Sequence, residues 1–182
     1  MIWRIAYLCI CALVLAGIVH IAIIFLIPTL GSKDAAKKVS EHGQYGQLQR
    51  ILDGQEIGIS DRDPFFQLAV CKYDLSENAF MVSGQNSPTF WSASVFDEKG
   101  RVVYSLNDRT AIKNQLNLII LNPIQMADLR ETQPEEIETS IVVETVSNKG
   151  FVLIRVLNQD DTWLPKTREF LDGTGCNAYL TR

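Results

Sequence analysis

Two short polar clusters hold the side chains best suited to chemistry: Asp61-Arg62-Asp63-Pro64, and Asn107-Asp108-Arg109. Each stands where a strand is expected to begin or end. Brought together, they would offer carboxylates and an arginine to a polar ligand. Asp63, Asp108 and Arg109 are therefore the candidate ligand-binding residues, with Trp91 as an aromatic face for a sugar ring. Paired carboxylates hydrolyse glycosides when one is held protonated and the spacing is right. The same residue types also serve as ordinary turn and salt-bridge groups, and Trp91 and Trp163 equally suit a core.

Composition removes most other chemistry. The two histidines are His20, inside an apolar run, and His42, in a polar stretch. Beyond His42 no histidine follows, so a Ser-His-Asp or Cys-His site inside the domain after residue 52 has none to use, and a histidine-rich zinc site fails likewise. No GxxxxGK[ST] or GxGxxG loop is present, and no C-x-x-C. No cofactor, metal or catalytic residue is expected. Sixteen of the 17 Lys and Arg and all 21 Asp and Glu follow the apolar run, leaving about −5 on that part. Nucleic acid, which selects clustered positive charge, is not an expected partner.

The stretch that must position these groups is Ile5–Ile27, 23 residues without a formal charge. As a helix it measures roughly 34 Å, enough to cross a hydrocarbon core of about 30 Å. The run exceeds a signal-peptide h-region and lacks a clear A-x-A cleavage site, so an uncleaved signal anchor is predicted. Trp3 and Tyr7 suit an interfacial aromatic belt. Ala12 and Ala16 form a small-xxx-small pair, and His20 is ionisable at depth; together they mark a candidate face for another helix.

Orientation has two opposed signals. Lys33, Lys37 and Lys38 after the anchor weakly favour a cytoplasmic C-terminal part. Cys71 and Cys176 suit a disulfide, which persists in oxidising compartments; the alternative is two buried free thiols.

The predicted division is an anchor over residues 1–30, a linker over 31–52 and a β-rich extracytoplasmic domain over 53–182. Strands are expected over Phe66–Leu75, Ala79–Ser83, Phe90–Phe96, Arg101–Leu106 and Gln115–Leu121. Asp97-Glu98-Lys99-Gly100 should turn one hairpin. Thr139–Val146 and Phe151–Leu157 should form a last hairpin across Ser147-Asn148-Lys149-Gly150. Asn122-Pro123 opens a helix whose apolar side is Ile124, Met126, Ala127 and Leu129. Leu164–Leu171 is a second, ended by Gly173. The class is mainly β (α+β), an antiparallel β-sandwich or open barrel with two short helices after a single transmembrane helix.

Asp63-Pro64-Phe65-Phe66-Gln67-Leu68-Ala69-Val70-Cys71-Lys72-Tyr73-Asp74-Leu75, Phe90-Trp91-Ser92-Ala93-Ser94-Val95-Phe96-Asp97, Gly100, Tyr104-Ser105, Asn107-Asp108-Arg109 and the stretch from Phe170 to Cys176 form a pattern. It resembles bacterial envelope proteins of the domain of unknown function 1254 family, related to the 1214 family. The resemblance spans roughly Asp63 to Cys176. It implies a one-pass inner-membrane protein with a β-rich domain in the periplasm, and it brings no activity or catalytic residues. Larger relatives carry paired β-sandwich domains. Beside the membrane, the expected partner is another envelope protein, bound by a non-enzymatic module; the alternative is a carbohydrate- or peptidoglycan-acting domain.

Overall fold

The computed structural model describes residues 2–41, 44–51, 63, 65–85, 89–132 and 135–179. The chain divides into two units, Met1–Asp34 and Ala35–Arg182. Helix α1 spans Ile2–Glu41. Its segment Ile2–Ile27 is long and apolar enough to cross a membrane. Within it Cys9 and Cys11 are free thiols, and Ala12, Ala16 and His20 are exposed.

Among its described residues the second unit holds nine strands, two further α-helices and two short 3-10 turns. In chain order the strands and α-helices are β1 (Leu48–Ile51), β2 (Phe66–Asp74), β3 (Ala79–Gly84), β4 (Trp91–Asp97), β5 (Val102–Asn107), β6 (Leu116–Leu121), α2 (Pro123–Thr132), β7 (Ile141–Glu144), β8 (Lys149–Leu157), α3 (Leu164–Asp172) and β9 (Gly175–Tyr179). They form a five-stranded sheet, β1-β2-β8-β4-β5, and a four-stranded sheet, β7-β6-β3-β9. Every pairing is antiparallel except β6 with β7. The class expected from the sequence, mainly β with antiparallel strands and short helices, is the class observed.

Alternation along the strands builds the core. On β4, Trp91, Ala93, Val95 and Asp97 are buried while Ser92, Ser94 and Phe96 are half-buried. On β2, Ala69, Cys71 and Tyr73 join Trp91, Ala93 and Val95, and they pack with Val82, Leu118 and Ile120 of the other sheet. The opposite face of β2 joins a smaller cluster of Ile51, Leu68, Val70 and Phe151, flanked by Phe66, Phe96 and Leu153. A third cluster sets Leu129 of α2 against Ala79, Ile119 and Leu121. Cys71 of one sheet and Cys176 of the other form a disulfide across a sequence separation of 105.

The helix starts follow from local chemistry. Asn122 Oδ1 accepts hydrogen bonds from the Ile124 and Gln125 amides, and Gln125 Oε1 accepts from the Asn122 amide. This reciprocal capping box satisfies donors that the first turn leaves unpaired. Gln125 Nε2 also donates to the Leu75 carbonyl, tying α2 to the chain just past β2. On α3, Phe170 and Leu171 enter the main core, and Asp172 meets Arg50 of β1 at 3.2 Å.

Four expectations are corrected. The residues read as a linker, 31–52, carry helix to Glu41 and then strand β1, which pairs with β2; the β-rich part thus begins before residue 53. Thr139–Val146 and Phe151–Leu157 do not form a hairpin, because β7 pairs with β6 in one sheet and β8 with β2 and β4 in the other. On α2, Ile124 and Ala127 are exposed, and Gln125 is buried in their place. Strand β9 had no counterpart in the expected set, and β1 falls where the sequence of Tyr45–Leu52 leaves helix or strand open.

Candidate functional site

The register fixes which strand ends meet. The start of β2, the end of β8, the start of β4 and the end of β5 lie side by side at one end of the five-stranded sheet. Asp63, Trp91, Asp108 and Arg109 therefore share that end. They are not gathered at a point. From β2 to β5 is three inter-strand steps, roughly 14 Å at about 4.8 Å per step. A glycosidase pair sits about 5 to 10 Å apart; Asp63 precedes β2 and Asp108 follows β5, strands that β8 and β4 separate in the sheet. Asp61 and Arg62 lie outside the described residues.

Each of these side chains has its own setting. Asp63 is exposed, and its Oδ1 accepts the Phe65 amide at 3.0 Å. Arg109 is exposed, and its amide donates to Asn107 Oδ1 at 3.1 Å within the turn after β5. Trp91 is 0% exposed. The expectation of a ring open to a sugar fails, since the inward phase of β4 places Trp91 with Ala93 and Val95 in the main core. The aromatic surface at this end is instead Phe65, 57% exposed. Beside it Phe66 and Phe90 meet edge to face, with Arg155 over the Phe66 ring at 4.5 Å.

Asp108 stands across from Trp91. Its amide donates to the Trp91 carbonyl at 3.1 Å, continuing the pairing of Ser92 with Asn107 and of Ala93 with Leu106. Opposite residues of an antiparallel pair project from the same face, so Asp108 follows Leu106 toward the inner side. On the other flank Trp91 pairs with Val156, and Asn158 lies two residues further along, in the same phase. The Asn158 amide donates to the Phe65 carbonyl at 2.6 Å, which brings the start of β2 to the same end. Three side-chain atoms here are buried without any hydrogen-bond partner: Trp91 Nε1, Asp108 Oδ1 and Asn158 Oδ1. Native interiors leave few polar atoms in that condition. Asn158 was not among the sequence candidates. Its one sequence signal is position, the first residue after a strand whose inward phase it continues.

Other polar groups are occupied by structure. Asp97 is buried, and its Oδ1 accepts the Lys99 and Arg101 amides while Oδ2 receives Arg101 Nε at 2.7 Å. Burial pushes its carboxyl upward, but these donors prevail and hold it below the usual carboxylate range. The Ser76 hydroxyl and amide hold Asp74 low in the same way, helped by Lys149 at 3.4 Å. Lys72 lies over the Tyr45 ring at 4.6 Å, a cation–π contact at the far end of β2. No group of three or more His, Cys, Asp or Glu able to hold a metal is found among the described residues.

No family model and no curated protein matches the chain. Four chains of solved structure do. One is the VPA0106 protein from Vibrio parahaemolyticus, with a TM-score of 0.58 and 14% identity over 81% of this chain. The alignment spans 35% of that protein's length. Another is an uncharacterised protein from Burkholderia cenocepacia, with a TM-score of 0.43 and 11% identity over 72% of this chain and 36% of that one. The first shares the fold with this chain. The chain thus spans about a third of each of these structures.

Proposed function

We propose that this protein is a membrane-anchored, non-enzymatic binding module of the bacterial cell envelope. In this reading Ile5–Ile27 is an uncleaved anchor in the inner membrane, and the β-sandwich stands in the periplasm, where it engages another envelope protein. The observation that carries the reading is the pairing of one apolar membrane-length helix, Ile2–Ile27, with a disulfide that joins the two sheets, Cys71–Cys176. Disulfides persist outside the reducing cytoplasm. The placement of Asp63 and Asp108 beside strands that β8 and β4 separate favours binding over turnover.

Membership in the domain of unknown function 1254 family belongs to this proposal, supported by the residue pattern from Asp63 to Cys176 and by a sandwich built on it. The anchor face formed by Ala12, Ala16 and His20 is its contact with other membrane helices, supported by the small-xxx-small spacing of the two alanines and the ionisable His20 at depth.

The test fuses alkaline phosphatase or green fluorescent protein after Arg182 in bacterial cells. The proposal expects phosphatase activity and a dark fluorescent fusion; the reverse pattern would place the domain in the cytoplasm and end the proposal. The non-enzymatic part fails if the full-length protein degrades peptidoglycan and Asp108→Asn abolishes that activity.

A further inference from the structure

Strand β9 is the outermost strand of the four-stranded sheet, and among the described residues it pairs with β3 alone. The pairing runs from Gly175 opposite Ser83 to Tyr179 opposite Ala79. Cys176 is the one buried residue of the strand; Asn177 and Ala178 are exposed, and Gly175 and Tyr179 are half-buried. Cys176 belongs to the main core, where its sulfur is bonded to Cys71 of the other sheet. The Cys71 end is fixed. Strand β2 lies between β1 and β8, with Leu48 and Val152 opposite Cys71 on its two flanks.

The chain just before β9 has holding contacts of its own. Phe170 and Leu171 of α3 are buried in the main core, and the Thr174 hydroxyl donates to the Phe170 carbonyl at 2.8 Å. Gly84, the last residue of β3, leaves room for this corner, since a Cβ there would lie 2.8 Å from Thr174 Oγ1. None of these contacts uses a cysteine. Without the disulfide, α3 and Thr174 stay seated, while β9 keeps one small buried side chain and the backbone bonds of an edge strand. Elements with few buried apolar contacts and solvent-exposed backbone bonds are those that open locally at low cost.

We propose that Cys71–Cys176 is a redox latch on β9. Oxidised, it holds the strand on β3; reduced, it lets β9 detach from Gly175 onward while the rest of the domain stays folded, and β3 becomes the edge of its sheet. The co-reactant is a dithiol. Its thiolate attacks Cys176 Sγ, on the edge strand, forming a mixed disulfide and expelling Cys71 as a thiolate that takes up a proton. The second thiolate of the reductant then attacks the reductant's own sulfur in that mixed disulfide, and Cys176 leaves and is protonated in turn. Two electrons and two protons pass to the cysteines, and the reductant departs as an internal disulfide. The latch rests on the same disulfide as the proposed function, but it is read on purified protein, whichever compartment the domain occupies.

The test is hydrogen exchange by mass spectrometry on full-length protein in detergent micelles, air-oxidised or treated with dithiothreitol. A Cys71→Ser, Cys176→Ser double variant serves as a form that cannot reclose. Protection of Gly175–Tyr179 is expected to fall about a hundredfold on reduction, the order that one crosslink contributes to holding a segment. Leu164–Asp172 and Leu116–Leu121 are expected to keep their protection. Unchanged protection of β9 after reduction would overturn the proposal. So would an equal loss in all three segments, or complete unfolding of the reduced protein, because the bond would then staple the whole fold rather than one strand. A bond that dithiothreitol reduces only in denaturant also overturns it. Where the double variant does not fold, the dithiothreitol-treated wild type decides. The fusions after Arg182 read the compartment separately, so latch and proposed function can fail one without the other.

Discussion

Gly150 lies directly across from Tyr73 in the pairing of β8 with β2. The Tyr73 hydroxyl passes over it to donate to the Phe96 carbonyl on β4 at 2.9 Å. A Cβ at residue 150 would overlap both the Phe96 carbonyl oxygen and the Tyr73 phenol. Glycine is thus what lets one tyrosine link three strands across the sheet. Burial pushes the Tyr73 phenol well above its ordinary range, so it remains a protonated donor at any physiological pH.

Gly150→Ala is accordingly expected to destabilise the domain by about 3 kcal/mol through overpacking. Tyr73→Phe should cost about 1 kcal/mol for the lost hydrogen bond. Because the two changes share atoms, the double variant should be less destabilised than the sum, since the phenylalanine removes one of the overlaps. Denaturant melts of the four proteins check this; strict additivity would contradict it.

The capping box at α2 predicts a smaller effect. Asn122→Ala removes the acceptor for two amides and should cost about 1 kcal/mol, whereas Asn122→Asp should restore most of it. Chemical denaturation of the three proteins measures the difference.

Asp97 makes a prediction about acid. Its folded pKa lies below its unfolded value, so its contribution to stability is fully present above the unfolded value of about 3.9. It is lost as pH falls through the lower, folded value. Stability measured from pH 7 down to pH 2 should therefore decline below about pH 4. Asp97→Asn should flatten that decline and lower stability at pH 7, because Arg101 and its amide lose a charged acceptor.

These elements also mark how far the sequence could be read. The β4–β5 hairpin was legible because its turn is local: Asp97 accepts the amides at Lys99 and Arg101, and Gly100 takes the positive φ of 74° that the turn requires. Helix α2 was legible because Asn122 and Pro123 are a start signal independent of tertiary context. The last hairpin was not. Ser147-Asn148-Lys149-Gly150 has hairpin composition, yet nothing local tells β7 to pair in parallel with β6 while β8 enters the other sheet. Strand β9 escaped notice because its one buried residue is Cys176, so no alternation marks it. At the candidate site, period-2 alternation set Trp91 opposite in phase to Phe90 and Phe96. Only the second sheet shows that the Trp91 side is the interior.

The central claim is an anchored domain held in an oxidising compartment, and its direct consequence is the Cys71–Cys176 bond. A crosslink closing a loop of about 105 residues should be worth about 4 kcal/mol, largely by restricting the unfolded chain. The decisive measurement is mass spectrometry of membrane-extracted protein, alkylated in cells before lysis, with and without reductant. The account predicts a Cys71–Cys176 linked peptide that disappears on reduction, with Cys9 and Cys11 recovered as single alkylated thiols. Full alkylation of Cys71 and Cys176 without reductant, under denaturing conditions, would contradict it.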